Sequence, residues 1–228
     1  MSTNDPNAST LVVFCRRPAP GVGKQRVAAM AGPVVAHGLG ERLLAAALED
    51  AATWPGPVAL SPAVEADRDW AAGLLARAAE VVPQAEGSLG ARLQHVDRVL
   101  RAGGHRQLVF IGSDAPLLDV AYYARARIAL RQCDVVLGPA EDGGVTLMAA
   151  RVAWPDIADL PWGSPELAGK LDRRCRSRGL TVRELDCRYD VDDVGILPRL
   201  YRDLAPDPRP ARRALRDWLD QQAGDLIR

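Results

Sequence analysis

The chain has 228 residues, 29 lysines and arginines against 29 acids, and a hydrophobic content of 48%. That length and apolar content suit a single α/β core, and the balanced charge gives no electrostatic reason to expect nucleic acid or an anionic membrane as partner. The apolar runs fall far short of the roughly 20 residues of a membrane-spanning helix, and the opening MSTNDPNAST lacks the apolar stretch of a secretion signal, so a cytoplasmic location is expected.

Residues 1–9 read as a disordered tail. TLVVF (10–14) is a β-rich apolar run and is expected to form a central first strand. A loop with several glycines and prolines, CRRPAPGVGKQR, follows it. Leu39, Leu43, Leu44 and Leu48 mark a helix over 38–53, and PVALS (57–61) a second strand. Trp70, Leu74, Leu75 and Ala78 predict a helix over 67–79, and 80–83 reads as a short apolar link or a strand. Leu89, Leu93, Val96 and Leu100 place a further helix over 88–102.

QLVFI (107–111) is the clearest strand and ends in GSDAP. A helix is expected over 119–131 and a strand over 134–138, followed by PAEDGG and the apolar segment VTLMAA. Ser164-Pro165-Glu166 suggests a cap with proline at the first helical position, for a helix that stops near Gly179. A late strand over 180–185 precedes a turn with Asp190 and Asp192, then a helix containing Leu197, Leu200 and Tyr201. APDPRPARR reads as a linker to a final helix over 211–222 carrying Leu215, Trp218 and Leu219.

Alternating strands and helices predict one Rossmann-like α/β domain over 10–204, with a mainly parallel sheet covered on both faces, then a linker and C-terminal helix over 205–228. Ligands of such sheets bind at the carboxyl ends of the strands, which singles out the loops after residues 14, 111 and 138. Cys15, Cys133, Cys175 and Cys187 form no CxxC pair, so neither a disulfide framework nor a zinc site is expected. The three histidines have no metal-ligand spacing.

The first of these loops gathers Arg16, Arg17, Lys24 and Arg26 around Gly21 and Gly23. Backbone donors with cations make an anion cradle, although the loop matches neither the P-loop nor the dinucleotide pattern. A solvated basic turn is the alternative. Lysine occurs in this chain only at positions 24 and 170, which marks Lys24 out. In the second loop Asp114 suits either a Mg²⁺ ion sharing phosphate oxygens or the cap of the next helix. In the third, Asp142, Gly143 and Gly144 fit a sugar, base or hydroxyl, or a tight turn. Asp190, Asp192 and Asp193 offer a second metal ligand, with Asp192 equally suited to capping.

RRPAPGVGKQR, QAEGSLGARL, IGSDAP, LGPAEDGG, PWGS and YDVDD occur in the order found in the DUF2064 family, and the chain resembles that family from about residue 11 to 204. The resemblance implies a glycosyltransferase-A-like fold, shared with nucleotidyltransferases, and a transferase that uses an activated nucleotide. It implies that Arg16, Gly21, Gly23, Lys24 and Arg26 hold phosphates, that Asp114 is the principal ligand of Mg²⁺ or Mn²⁺ with Asp192 or Asp190 completing the metal site, and that Asp142, Gly143 and Gly144 line the acceptor or sugar side. Lys24, Asp114 and Asp142 would be catalytic. Glu86, Gly87, Leu89, Gly90 and Arg92 match a further motif. Gln25 and Val145 depart from the family's usual threonine and tyrosine.

The expected substrates are therefore a nucleotide or nucleotide-sugar and a small-molecule acceptor, with nothing to fix an oligomeric state. Nucleotidyl and glycosyl transfer both remain open, and a catalytically silent nucleotide-binding or regulatory protein is the alternative from another class.

Overall fold

The computed structural model describes residues 8–222; residues 1–7, most of the expected tail, and 223–228 lie outside them. Strand β1 (Ser9–Cys15) pairs in parallel with β2 (Val58–Pro62) on one side and β4 (Gln107–Ile111) on the other. The full sheet has the order β3-β2-β1-β4-β6-β5-β7, with β3 at Glu80–Val81, β5 at Val135–Pro139, β6 at Val145–Ala150 and β7 at Val182–Glu184. Every neighbour pair is parallel except those made by β6, which runs antiparallel between β4 and β5. VTLMAA is thus a strand of the sheet interior. A tight turn at Ala140–Gly144 returns the chain beside β5 without the long crossover that a parallel partner requires.

Helices cover both faces. α1 (Gln25–Thr53), α2 (Arg68–Ala72) and α4 (Val120–Leu130) pack on one, where Leu44, Ala47, Ala71 and Tyr122 meet Leu11, Val13 and Val109. α3 (Leu89–Ala102) and α5 (Leu167–Ser177) pack on the other, where Leu93, Leu100 and Leu171 meet Val12, Leu108 and Phe110. Burying each such side chain contributes about 1.5–3 kcal/mol, which explains why the two central apolar runs become fully buried strands.

Three elements differ from expectation. α1 begins at Gln25, thirteen residues before the expected helix start at 38, and Gly32 leaves helical geometry (φ 85°, ψ 162°) ahead of Pro33 and divides the helix in two. The helix expected over 67–79 covers only Arg68–Ala72 and stops at Gly73, the residue type least able to continue it apart from proline. Pro165 sits in a turn in which Ser164 Oγ accepts from the Glu166 amide at 3.3 Å, and α5 starts two residues later.

The breaker-rich segment leads into α7 (Pro210–Gln221), which packs on α1 together with α6 (Leu197–Asp203). Arg212, fully buried, donates to the carbonyls of Pro116 (3.0 Å) and Ala46 and to the carboxylates of Glu49 (3.0 Å) and Asp50 (2.6 Å). Arg209 and the Tyr123 hydroxyl complete the shell around Asp50, each at 2.8 Å. Burial pushes the Asp50 carboxyl up from its ordinary value, and the two guanidinium groups oppose that shift.

Candidate active site

The loops after β1 and β4 and the segment 189–192 meet at the carboxyl edge of the sheet. Val191 ties them together. Its amide donates to the Asp114 carbonyl at 2.8 Å, and its own carbonyl accepts from Lys24 Nζ at 2.6 Å. Lys24 is thereby drawn under the loop, its side chain only 10% exposed, with Nζ at 2.7 Å from Asp114 Oδ1 and 3.6 Å from Asp192 Oδ1. Gly21 and Gly23 have φ of 76° and 71°, and Lys24 is the one described non-glycine residue with positive φ, at 48°. A left-handed conformation at a lysine costs on the order of 1–3 kcal/mol, which the ion pairs and the Val191 bond offset.

The helix-cap alternatives for the two aspartates do not hold. α4 is capped by Asp119, whose Oδ1 accepts from the Tyr122 amide at 2.6 Å. The 3₁₀ turn Val194–Ile196 is capped by Asp193, which accepts from the Gly195 amide at 2.7 Å. Asp114, which also accepts from the Ser113 hydroxyl at 3.4 Å, and Asp192 both pair with Lys24 and line an open cleft.

That cleft encloses about 570 Å³, and Asp114, Asp192, Gly23, Lys24, Ala63, Gln84 and Leu89 are among its lining residues. Five cations line it (Arg16, Arg17, Lys24, Arg26 and Arg92), against two carboxylates, Asp114 and Asp192. The excess of positive over negative charge along low-dielectric walls attracts an anion.

Asp142, Asp190 and Asp192 form a second grouping, with one carboxylate oxygen of each within 4.8 Å of the others. Burial, then the negative charges of Asp192, Asp142 and Asp114, push the Asp190 carboxyl up to about 6. An all-oxygen donor set of this kind fits a hard divalent cation such as Mg²⁺ or Mn²⁺. Asp192 belongs both to this grouping and to the Lys24 contact.

The remaining expected residues are placed less directly. Arg16 and Arg26 lie exposed on the cleft wall. Gly21, Asp142, Gly143 and Gly144 are not among the cleft-lining residues. Gly143 has φ 86°, and a β-carbon there would strike the Pro165 backbone, so chain packing alone demands glycine at this position. Asp142 Oδ1 accepts from the Gly144 amide at 2.8 Å, while Glu141 is held by Arg199 through two bonds of 2.6 and 2.8 Å. Of the motif at 86–92, Arg92 and Leu89 line the cleft. Gly90 lets α3 press against the Ile157 carbonyl and the Trp162 ring. Lys170, on α5, pairs with Glu166 one helical turn away. The Val191 carbonyl and Phe14 carried no signal of a site in the sequence, and Gln84, which opens the QAEGSLGARL motif, was not singled out within it.

A family described as "Uncharacterized protein conserved in bacteria (DUF2064)" matches residues 44–164, a span that begins after the first loop and ends before Asp190. No curated protein matches the sequence. Among solved structures, the chain is similar to a candidate nucleotide-diphospho-sugar transferase from Desulfovibrio desulfuricans G20, with 26% identity, a TM-score of 0.83, and coverage of 94% of this chain and 97% of that one. A cytidylyltransferase from Leptospira borgpetersenii serovar Hardjo-bovis shares 9% identity over 96% of this chain and 97% of its own, with a TM-score of 0.54. A CMP:2-keto-3-deoxy-manno-octonic acid synthetase complexed with CTP shares 13% over 94% and 99%, with a TM-score of 0.51. At these last two identities the likeness is one of fold. No helix among the described residues is long and apolar enough to cross a membrane.

Proposed function

The chain belongs to the DUF2064 family of bacterial proteins, and from that premise we propose that it is a divalent-metal-dependent transferase acting on an activated nucleotide. The observation that carries this reading is the meeting of cations and carboxylates in one cleft: Lys24 Nζ, 2.7 Å from Asp114, belongs to both groups. Acidic groups that hold a metal and basic groups that hold phosphates are the two parts that phosphoryl and glycosyl transfer require of a protein. Such catalysis is largely positioning and charge neutralisation.

Asp114 and Asp192, with Asp142 and Asp190 beside them, would hold the metal, which would neutralise charge on the phosphates and on the leaving group. Arg16, Arg26 and the backbone at Gly23 would orient the phosphates, and Lys24 would move from its carboxylate partners toward them. Gly143 and Gly144, with Asp142, would shape the acceptor side. No covalent nucleophile is required.

Two reactions fit. Nucleotidyl transfer to a phosphorylated acceptor, with loss of pyrophosphate, is favoured by five cations along the cleft, which suit a triphosphate. Glycosyl transfer from a nucleotide-sugar is favoured by the description of the Desulfovibrio protein at 26% identity. Both share the same first test. Nucleoside triphosphates and nucleotide-sugars are screened by thermal unfolding with and without Mg²⁺. A nucleotide at a hundred times its dissociation constant adds ~2.7 kcal/mol, which for a chain of this size raises the melting temperature by roughly 5–10 °C. The rise should be larger with Mg²⁺ present. No shift with any common nucleotide at millimolar concentration with metal overturns the proposal.

A further inference from the structure

A second hollow opens beside the cleft and shares Phe14, Leu89, Gly112 and Asp114 with it. It encloses about 230 Å³ between α3, β4 and β6, and Asp114 and Asp190 lie on its lining. Its walls are otherwise apolar, with Phe14 and Phe110 meeting edge to face at 5.9 Å and Leu93, Met148 and Trp162 around them. The two lining side chains that could donate a hydrogen bond are already engaged: Trp162 Nε1 donates to the Ile157 carbonyl at 2.8 Å, and Thr146 Oγ1 to the Gly138 carbonyl at 3.2 Å.

Val145 owes its place in the wall to an irregularity in the sheet. Gly138 is opposite Leu147, but its neighbour Pro139 is opposite Val145, so Thr146 is one extra residue in β6. An extra residue of this kind reverses the alternation of side chains beyond it. Val145 therefore packs with Met148 on the α3 face of the sheet instead of with Leu147 on the other.

We propose that this slot binds an apolar group carried by the acceptor, of the size of one aromatic ring or a short branched alkyl chain, while the acceptor's phosphate or hydroxyl lies at the carboxylates. The inference rests on the transferase reading and deepens it by naming the acceptor's chemical class. A dry apolar cavity of ~150 Å³ accommodates benzene, so the slot has room for such a group. A polyhydroxylated sugar ring in the same place would find acceptors only at Asp114 and Asp190, and its hydroxyls against the Phe14, Phe110, Leu93 and Met148 wall would lack partners, which is penalised.

The test compares two monophosphates that differ in this respect, phenyl phosphate and glucose 1-phosphate. Each is titrated calorimetrically into the full chain with Mg²⁺. Phenyl phosphate should bind at least about tenfold more tightly. Val145→Phe, which fills the slot, should remove that preference; the ratio in the unaltered protein stands as a test even if this variant folds poorly. Equal affinities, binding of neither compound, or a preference that survives Val145→Phe in a folded protein overturns the inference. Nucleotide binding is measured on the same preparation, and its absence counts against the transferase reading alone, because the phosphate ratio is read independently of it.

Discussion

Lys24 Nζ stands 2.7 Å from Asp114 Oδ1 and 3.6 Å from Asp192 Oδ1, so one ammonium bridges carboxylates contributed by two different loops. Its third partner, the Val191 carbonyl at 2.6 Å, holds it there. An incoming polyphosphate competes for this ammonium, and a divalent cation competes for the carboxylates. Lys24→Ala should therefore weaken nucleotide binding by ~10- to 150-fold, the equivalent of one charge-assisted bond of ~1.5–3 kcal/mol. Lys170→Ala, which removes an exposed pair with Glu166 on α5, should leave nucleotide affinity where it is. Titration calorimetry of both variants decides, and equal affinities would remove Lys24 from the site.

Asp114 and Asp119 are five positions apart, and only Asp119 caps α4. Asp114→Asn removes the nearer ion-pair partner of Lys24, so it should lower the unfolding midpoint in denaturant modestly while the protein stays folded, and it should abolish the Mg²⁺ enhancement of nucleotide binding. Asp119→Ala should instead combine a loss of ~1 kcal/mol of stability with an intact metal response. A metal response that persists in Asp114→Asn would show that this carboxylate holds no cation.

Arg212 links the last helix to Asp50 at 2.6 Å inside the protein. Replacing it with alanine leaves a buried carboxylate short of one partner and should cost about 3–5 kcal/mol near neutral pH. The pH dependence has a definite sign. Asp50 already titrates above its ordinary value because of burial, and Arg212 is the largest opposing influence. Its loss raises the folded-state value further. A carboxyl whose folded pKa lies above the unfolded one favours the folded state fully at low pH and loses that contribution as pH rises through the folded value. The difference between Arg212→Ala and the unaltered protein should therefore shrink as the pH is lowered from about 7 toward about 4.5. A difference that is constant or grows on acidification would mean that Asp50 is not the group left unpaired.

The features legible in the sequence are those encoded locally. TLVVF and QLVFI become β1 and β4 because apolar β-branched runs of that length are stable only when buried on both faces. The stripe at Leu89, Leu93, Val96 and Leu100 becomes α3 behind its Ser88 cap. Carboxylates at strand ends could be located, but not their state: whether Asp114 capped a helix depended on where α4 began, and that start is decided at Asp119. Other features depend on contacts distant in the chain. Arg212 and Asp50 are separated by 162 positions. The Val191 carbonyl has no side-chain signature at all, and the extra residue at Thr146 that aims Val145 into the apolar slot appears only when β6 is paired with β5. At Gly143 two causes coincide in the sequence, since the paired glycines invite a ligand reading while the Pro165 backbone by itself also requires glycine there.

The product released distinguishes the two transfer reactions. Arg16, Arg17, Lys24, Arg26 and Arg92 face one cleft, more positive charge than a diphosphate leaving group needs and well matched to a triphosphate that loses pyrophosphate. Incubation with Mg²⁺, each nucleoside triphosphate and a pool of phosphorylated metabolites should release pyrophosphate, and release should require both the acceptor pool and an intact Asp114. In a parallel reaction, nucleotide-sugars are offered and released nucleotide diphosphate is measured. Acceptor-dependent diphosphate without pyrophosphate would leave glycosyl transfer as the reaction. Silence in both assays, from protein shown to bind nucleotide, would favour a regulatory role. Val145 separates that last outcome from a missing acceptor. If valine at this position has disabled the site, Val145→Tyr should restore turnover with the metabolite pool. If valine opens a slot for an apolar acceptor, Val145→Tyr should stay silent, and adding phosphomonoesters with aromatic or branched alkyl groups should elicit turnover from the unaltered protein only.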